Sequence, residues 1–170
     1  MYKGVVYWLT GFSGAGKTAI GKAMYSIISS NKSNIVLLDG DELRDTFGNI
    51  FGYTNEERLK CAMCYSRMCK LLSEQGIDVI CCTISMFAEV RNLNRESIEN
   101  YKEIYIRVSE DILNKTNQKG LYEGVNMGIL KDVVGIDLAA EVPENPDLVI
   151  DNNREKDANC IAKDIINKLK

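Results

Sequence analysis

The sequence predicts an α/β fold, a parallel β-sheet of about five strands flanked by helices on both faces. Three observations lead there. Short β-rich apolar runs alternate with helix-length stretches along the chain, the pattern of a sheet covered on both sides. The length, 170 residues, is that of one ordinary domain and is enough to bury a core without staples. Hydrophobic residues make up 45% and charged residues 26%, the balance of a globular protein. No linker, internal repeat or low-complexity tract interrupts the chain, so residues 1–170 are expected to form a single domain.

The elements follow in order. Val5 to Leu9 is a short β-rich run ending in a glycine-rich loop at 11–18. Residues 17–30 have helical spacing, with Ile20, Ala23, Met24, Ile27 and Ile28 on one face. Asn34 to Leu38 reads as a second buried strand that runs into Asp39-Gly40-Asp41. Residues 55–75 read as a helix with Leu59, Ala62, Met63, Met68, Leu71 and Leu72 on its apolar face and Gly76 at its end. Asp78 to Ile84 is a third strand, residues 86–100 form a polar helix, and Glu103 to Val108 is a fourth strand. Ser109 with Asp111 is placed to cap a further helix. Residues 116–135, rich in Gly, Asn and Lys, read as a mobile segment. Leu148 to Ile150 is a fifth strand, and residues 155–169 close the chain with an amphipathic helix carrying Ile161, Ile165, Ile166 and Leu169.

Composition narrows the function classes. The net charge is −3 and the basic residues are dispersed, unlike the basic stripe of a nucleic-acid binder. No run of 18 or more apolar residues exists, which argues against a membrane span. The apolar start leads into a glycine-rich loop rather than a cleavage site, so a strand is expected there and a cytoplasmic location for the protein. In that compartment Cys61, Cys64, Cys69, Cys81, Cys82 and Cys160 are expected as free thiols. Cys61-Ala-Met-Cys64 is half of a zinc or redox motif, but there is no second CxxC and no histidine, so buried helical cysteines are the favoured reading.

Gly11-Phe12-Ser13-Gly14-Ala15-Gly16-Lys17-Thr18 matches G-x-x-x-x-G-K-[ST] at every fixed position. It follows an apolar strand and opens a helix, the context that separates a P-loop from a glycine-rich turn. Backbone amides of Gly11, Ser13, Gly14, Ala15 and Gly16 would curl around phosphate oxygens, helped by the helix N-terminus. Lys17 would reach the β- and γ-phosphates of ATP, and the Thr18 hydroxyl would ligate Mg²⁺. The loop alone fits a kinase, a GTPase or a mechanical ATPase. No Asn-Lys-x-Asp base-reading motif is present, and the acidic Asp39-Gly40-Asp41 at the end of strand two favours a small-molecule kinase. Ligands of open α/β sheets bind beyond the carboxyl ends of the strands. A carboxylate there can accept a hydroxyl proton or hold magnesium. A nucleotide-binding regulatory protein without phosphoryl transfer is the competing class.

The chain resembles the adenylylsulfate kinase family of P-loop kinases. The resemblance is carried by Gly11–Thr18, Leu38-Asp39-Gly40-Asp41 with Arg44, Gly52-Tyr53-Thr54 with Arg58, and Ile84-Ser85. It continues through Lys119-Gly120-Leu121-Tyr122, Gly135-Ile136 and Pro143-Glu144-Asn145-Pro146-Asp147, in the family's order. It implies transfer of the ATP γ-phosphoryl to a ribose 3′-hydroxyl of a nucleotide acceptor, a magnesium requirement and, in many members, a homodimer. Asp39 is then similar to the catalytic carboxylate, with Lys17 and the lid residue Lys119 acting on the phosphates and with Thr18 and Asp39 at the metal. Asp41, Arg44, Tyr53, Arg58, Cys61, Ile84, Ser85, Lys119, Leu121 and Val133 fall on acceptor-binding positions. The lid spans about 116–135.

The departures from the family fall on the acceptor side. Ile84-Ser85-Met86-Phe87-Ala88 stands where Ile-Ser-Pro-Tyr-Arg is usual, Cys61 where an asparagine is usual, and Val133-Val134-Gly135-Ile136 where Phe-Thr-Gly-Ile is usual. Thr116-Asn117-Gln118-Lys119 replaces Arg-Asp-Pro-Lys. Two aromatic rings sandwich the acceptor's adenine in the family. Tyr53 can stack but Val133 cannot, and stacking is worth about 1–3 kcal/mol per base. The short chain and altered pocket resemble the family's divergent branch of cytidine diphosphoramidate kinases in bacterial capsule synthesis. That branch is favoured over adenylylsulfate as the source of the acceptor.

Overall fold

A computed structural model describes residues 2–109, 111–113 and 140–169. The expected lid at 116–135, and with it Lys119, Leu121 and Val133, lies outside the described residues. The elements are β1 (Val6–Thr10), α1 (Lys17–Ser29), β2 (Ile35–Asp39), α2 (Gly40–Thr46), α3 (Asn55–Glu74) and β3 (Asp78–Cys82). Then come α4 (Ala88–Ser97), β4 (Tyr101–Arg107), β5 (Leu148–Asp151) and α5 (Ala158–Lys168). The five strands are all parallel, in the order β2-β3-β1-β4-β5.

Both faces of the sheet are buried, as a parallel sheet requires. Alternate residues of each strand feed two separate cores. Leu9, Ile80, Ile104 and Ile106 pack against α1 and α5 through Ile20, Met24, Ile161 and Ile165. Val6, Trp8, Val79 and Cys81 pack against α3 and α4 through Ala62, Tyr65, Cys69 and Val90. On this second side Glu103, 2% exposed, pairs with Arg91 at 3.2 Å and Arg95 at 2.8 Å. The two arginines tie α4 to β4. Burial nevertheless raises the Glu103 carboxyl above its ordinary range, outweighing both guanidinium groups.

Local chemistry sets the boundaries. Thr54 and Glu57 form a reciprocal capping box at the start of α3. Gly76, at φ +80°, turns the chain out of that helix. The Asp157 side chain accepts from Cys160 N and starts α5 three residues later than periodicity suggests. After β4 the carbonyl of Ser109 accepts the amides of Ile112 and Leu113.

Three expectations change. The third strand stops at Cys82, not Ile84: Thr83 N still reaches Leu9 O at 3.0 Å, but beyond that the chain leaves the backbone ladder, and Ile84 O is held by the Thr10 side chain instead. Leu71 is 58% exposed. It lies two residues from the buried Cys69, about 200° around the helix, so it cannot share that face. The acidic segment at the end of strand two, expected as a turn from Asp39 to Arg44, belongs from Gly40 onward to the helix α2. Seven residues carry too little periodicity to announce a helix, and this one is started by a side-chain cap from Asp39.

Candidate active site

The glycine-rich loop leaves the sheet at the carboxyl end of β1, the central strand. Gly11 has φ +153°, and a Cβ there would lie 2.4 Å from Ile106 O, so β4 leaves room only for glycine. Gly16 has φ +91° and is the N-cap of α1. α1 has no side-chain cap and no acidic residue in its first turn. The first turn thus presents no carboxylate or capping side chain that would compete with an anion, and the helix dipole favours negative charge there. Lys17 is 8% exposed, and its Nζ donates to the carbonyls of Gly11 (2.9 Å) and Phe12 (2.7 Å). The ammonium is thereby folded over the loop.

β2 brings the carboxylate. Register places Asp39 beside Cys82 and Cys82 beside Leu9, so β2, β3 and β1 end side by side. Asp39 is 7% exposed and holds two parts of the site together. Its Oδ1 accepts from Asp41 N at 3.0 Å, capping α2. Its Oδ2 accepts from the Thr18 hydroxyl at 2.6 Å. The sequence-predicted Lys17, Thr18 and Asp39 thus converge at one mouth. Beneath it Cys82 is pushed up to about 12 by burial first and the Asp39 charge second, so its thiol stays protonated.

The residues expected on the acceptor side gather around α2 and the start of α3. Both predicted arginines embrace Tyr53: the Arg44 guanidinium carbon lies 4.7 Å and that of Arg58 5.1 Å from the ring centroid. Arg44 also donates to the carbonyls of Phe51 and Gly52, and Arg58 to that of Tyr53. Tyr53 is 56% exposed, so part of the ring meets solvent beside two cations. Asp41 is exposed on the first turn of α2. Beyond β3, Ile84 O accepts from Thr10 Oγ1 at 2.7 Å, and the buried Ser85 shares a 2.7 Å hydrogen bond with Thr83. Cys61 is 1% exposed and its thiol faces Tyr65 rather than open space. A groove of about 450 Å³ is lined by Phe51, Leu59, Met63, Cys64 and Glu89 and by none of the phosphate-loop residues.

Comparison with known proteins matches this arrangement. The family model described as adenylylsulphate kinase matches residues 3–151. The chain belongs to the adenylylsulphate kinase family. It is 40% identical over 164 residues to the cytidine diphosphoramidate kinase of Campylobacter jejuni, covering 96% of this chain and 95% of that one. It is 36% identical over 166 residues to the adenylyl-sulfate kinase of Pseudomonas aeruginosa, covering 96% and 84%. Among solved structures, the Mycobacterium tuberculosis APS kinase in complex with AMPPNP and APS superposes with a TM-score of 0.89 at 26% identity over 99% of both chains. The expected P-loop fold and ATP-dependent phosphotransferase activity therefore stand. Among the described residues no helix is long and apolar enough to cross a membrane.

Within this kinase Tyr65 is among the residues near the site that sequence reasoning missed. Tyr65, 3% exposed, accepts from the Cys61 thiol at 3.0 Å and donates to the Gly40 carbonyl at 3.0 Å. Burial, followed by the bond to Cys61, pushes its hydroxyl up, so it remains a donor. Its ring stacks on Phe47, centroids 6.1 Å apart. Tyr65 thus supports from below the turn that carries Asp39. The only signal in the sequence is its place four residues after Cys61 on a helix. Nothing local points to Gly40.

Proposed function

We propose that this kinase transfers the γ-phosphoryl group of ATP to the ribose 3′-hydroxyl of cytidine diphosphoramidate. The observation that carries the chemistry is the 2.6 Å contact between Thr18 and Asp39 at the mouth of the phosphate loop. A base beside the phosphate-binding amides is what a hydroxyl acceptor requires. Asp39 takes the proton of the 3′-hydroxyl as that oxygen bonds to the γ-phosphorus. The bond from the γ-phosphorus to the β–γ bridging oxygen breaks, and ADP leaves with the electron pair. Lys17 and the loop amides hold the phosphate charge, and they act by position and electrostatics alone.

The site fits magnesium. Thr18 and Asp39 place two hard oxygen donors together, and Mg²⁺ characteristically takes one or two protein oxygens with substrate phosphates and waters completing the shell. When bound, the ion supplies charge neutralisation at the β- and γ-phosphoryl oxygens.

The acceptor rests on three supports. The Campylobacter jejuni relative matches over nearly the full length of both chains. Tyr53, more than half exposed, gathers an aromatic ring and the Arg44 and Arg58 guanidinium groups at one place, a combination suited to a base and to the acidic groups attached to it. By the family resemblance, Val133 falls where the family's second stacking ring is expected. One aromatic wall suits a pyrimidine better than the larger adenine. The test is to supply ATP with cytidine diphosphoramidate or with adenylylsulfate and to locate the new phosphate by NMR. A higher kcat/KM for the cytidine acceptor and phosphate on O3′ are expected. Preference for adenylylsulfate overturns the acceptor assignment, and phosphate elsewhere overturns the regiochemistry.

A further inference from the structure

The phosphate loop is fastened from the far end of the chain. Asn152 Nδ2 donates to the Ala15 carbonyl at 2.8 Å, and Arg154 Nη2 donates to the Gly14 carbonyl at 2.6 Å. These contacts span 137 and 140 residues. Asn152 is 5% exposed, and its own amide donates to Arg107 O at 2.8 Å, at the end of β4. The adjoining Asp151 is held by both nitrogens of a bidentate Arg107. The β5 exit is thus a fixed platform. Arg154 sits at φ +66°, a conformation that non-glycine residues seldom adopt, and it is the geometry in which its guanidinium reaches the loop. Gly16 completes the fit: a Cβ there would lie 2.7 Å from Asn152 Nδ2. The glycine of the motif is needed for Asn152 to approach as well as for its φ.

We propose that Asn152 and Arg154 form a clamp that holds the phosphate loop in its anion-binding conformation, both acting as positioning residues. The physical need is electrostatic. A loop that binds a triphosphate through amides must keep its carbonyl oxygens turned away from the anion. In a trans peptide the N–H points opposite to the C=O, so drawing the Ala15 carbonyl to Asn152 turns the Gly16 N–H toward the concave face. Other carbonyls of the loop have partners nearby in sequence. Those of Gly11 and Phe12 are taken by Lys17, and that of Gly16 by the Ile20 amide. Gly14 and Ala15 depend on the clamp. Without it, two adjacent peptide planes are released to rotate their oxygens toward the phosphates. Arg154 further adds a permanent positive charge to the loop's outer side.

This inference rests on ATP as the ligand of the loop, and the experiment separates the two. ATP is titrated calorimetrically into the full-length wild type, Asn152→Ala, Asn152→Asp, Arg154→Ala and Arg154→Lys, with thermal melts in parallel. Deuterium uptake of the peptide covering residues 11–18 is measured without nucleotide. Asn152→Ala is expected to raise the ATP Kd about fivefold, the equivalent of one hydrogen bond of about 1 kcal/mol. Asn152→Asp, which removes the donor and sets a carboxylate against the loop, is expected to raise it more. Arg154→Ala is expected to weaken ATP binding, and Arg154→Lys to restore most of it. Loop deuterium uptake should rise in both alanine variants. Melting temperatures that fall while ATP affinity and loop uptake stay at wild-type values would reduce both residues to structural roles and overturn the clamp. If the wild type binds no ATP, the functional reading fails, and deuterium uptake still decides whether the clamp holds the loop.

Discussion

Replacing Asp39 with asparagine separates chemistry from architecture, because the carboxylate performs both tasks through different oxygens. Oδ1 caps α2, and asparagine is as good an N-cap as aspartate, so this role survives. Oδ2 accepts the Thr18 hydroxyl at 2.6 Å. In the variant an amide nitrogen can take that position and donate to the same hydroxyl, turned to accept. What is lost is the charge assistance of one hydrogen bond, about 1 kcal/mol. For a domain of this length that lowers Tm by about 2–4 °C. The base is lost outright. An amide takes no proton, and general-base catalysis is worth roughly 10²–10⁴ in rate, or about 3–5 kcal/mol of barrier. Asp39→Asn is therefore expected to melt within a few degrees of wild type and to bind ATP by calorimetry. Its kcat should fall by two to four orders of magnitude (about 10²–10⁴) in a coupled assay of ADP release. A variant that melts normally and retains kcat within about threefold of wild type would remove Asp39 from proton transfer, since nothing else in the substitution compensates for a missing base.

The other predictions test neighbouring parts of the site. Lys17→Ala removes the cation folded over the loop and should cut kcat by roughly a hundredfold or more; a smaller loss in steady-state assays would leave charge stabilisation to the amides. Tyr65→Phe keeps the stacking on Phe47 but leaves Gly40 without its hydroxyl donor, so Tm should fall by about 2–4 °C with a severalfold lower kcat and an unchanged KM for ATP. An unaltered Tm and kcat would show that the turn needs no such support. Cys82 holds its proton in the folded state up to about 12, against an ordinary 9.0. The unfolded thiol ionises first, so as pH rises from about 9 towards 12 the unfolded state binds fewer protons and stability declines. Cys82→Ala should lessen that alkaline loss, as followed by urea denaturation at pH 8 and pH 10, and an identical pH slope in the variant would refute it.

The division between sequence and structure follows from range. The phosphate loop was legible because its task is local: glycines at fixed offsets, then a lysine and a hydroxyl at the start of a helix. The alternation of strand and helix was legible for the same reason, since periodicity is a property of neighbours. Asp39 stood out because it follows a strand directly, though its partnership with Thr18 was implied by family resemblance rather than by spacing. Strand order could not be read, because which apolar run pairs with which depends on how helices close over both faces. Cys61 occupies an acceptor position in the sequence, yet its thiol turns toward Tyr65, whose partner Gly40 lies 25 residues earlier. The residues of the clamp drew no attention at all. Asn152 and Arg154 are ordinary polar residues in a loop, and their meaning arises only when parallel pairing sets the exit of β5 beside the exit of β1's neighbour β4. The groups that bind phosphate could be read from one short segment, because they are neighbours in the chain. Tertiary structure alone decided what holds that segment in shape, because a loop's carbonyls must be satisfied by whatever the folded chain brings near them.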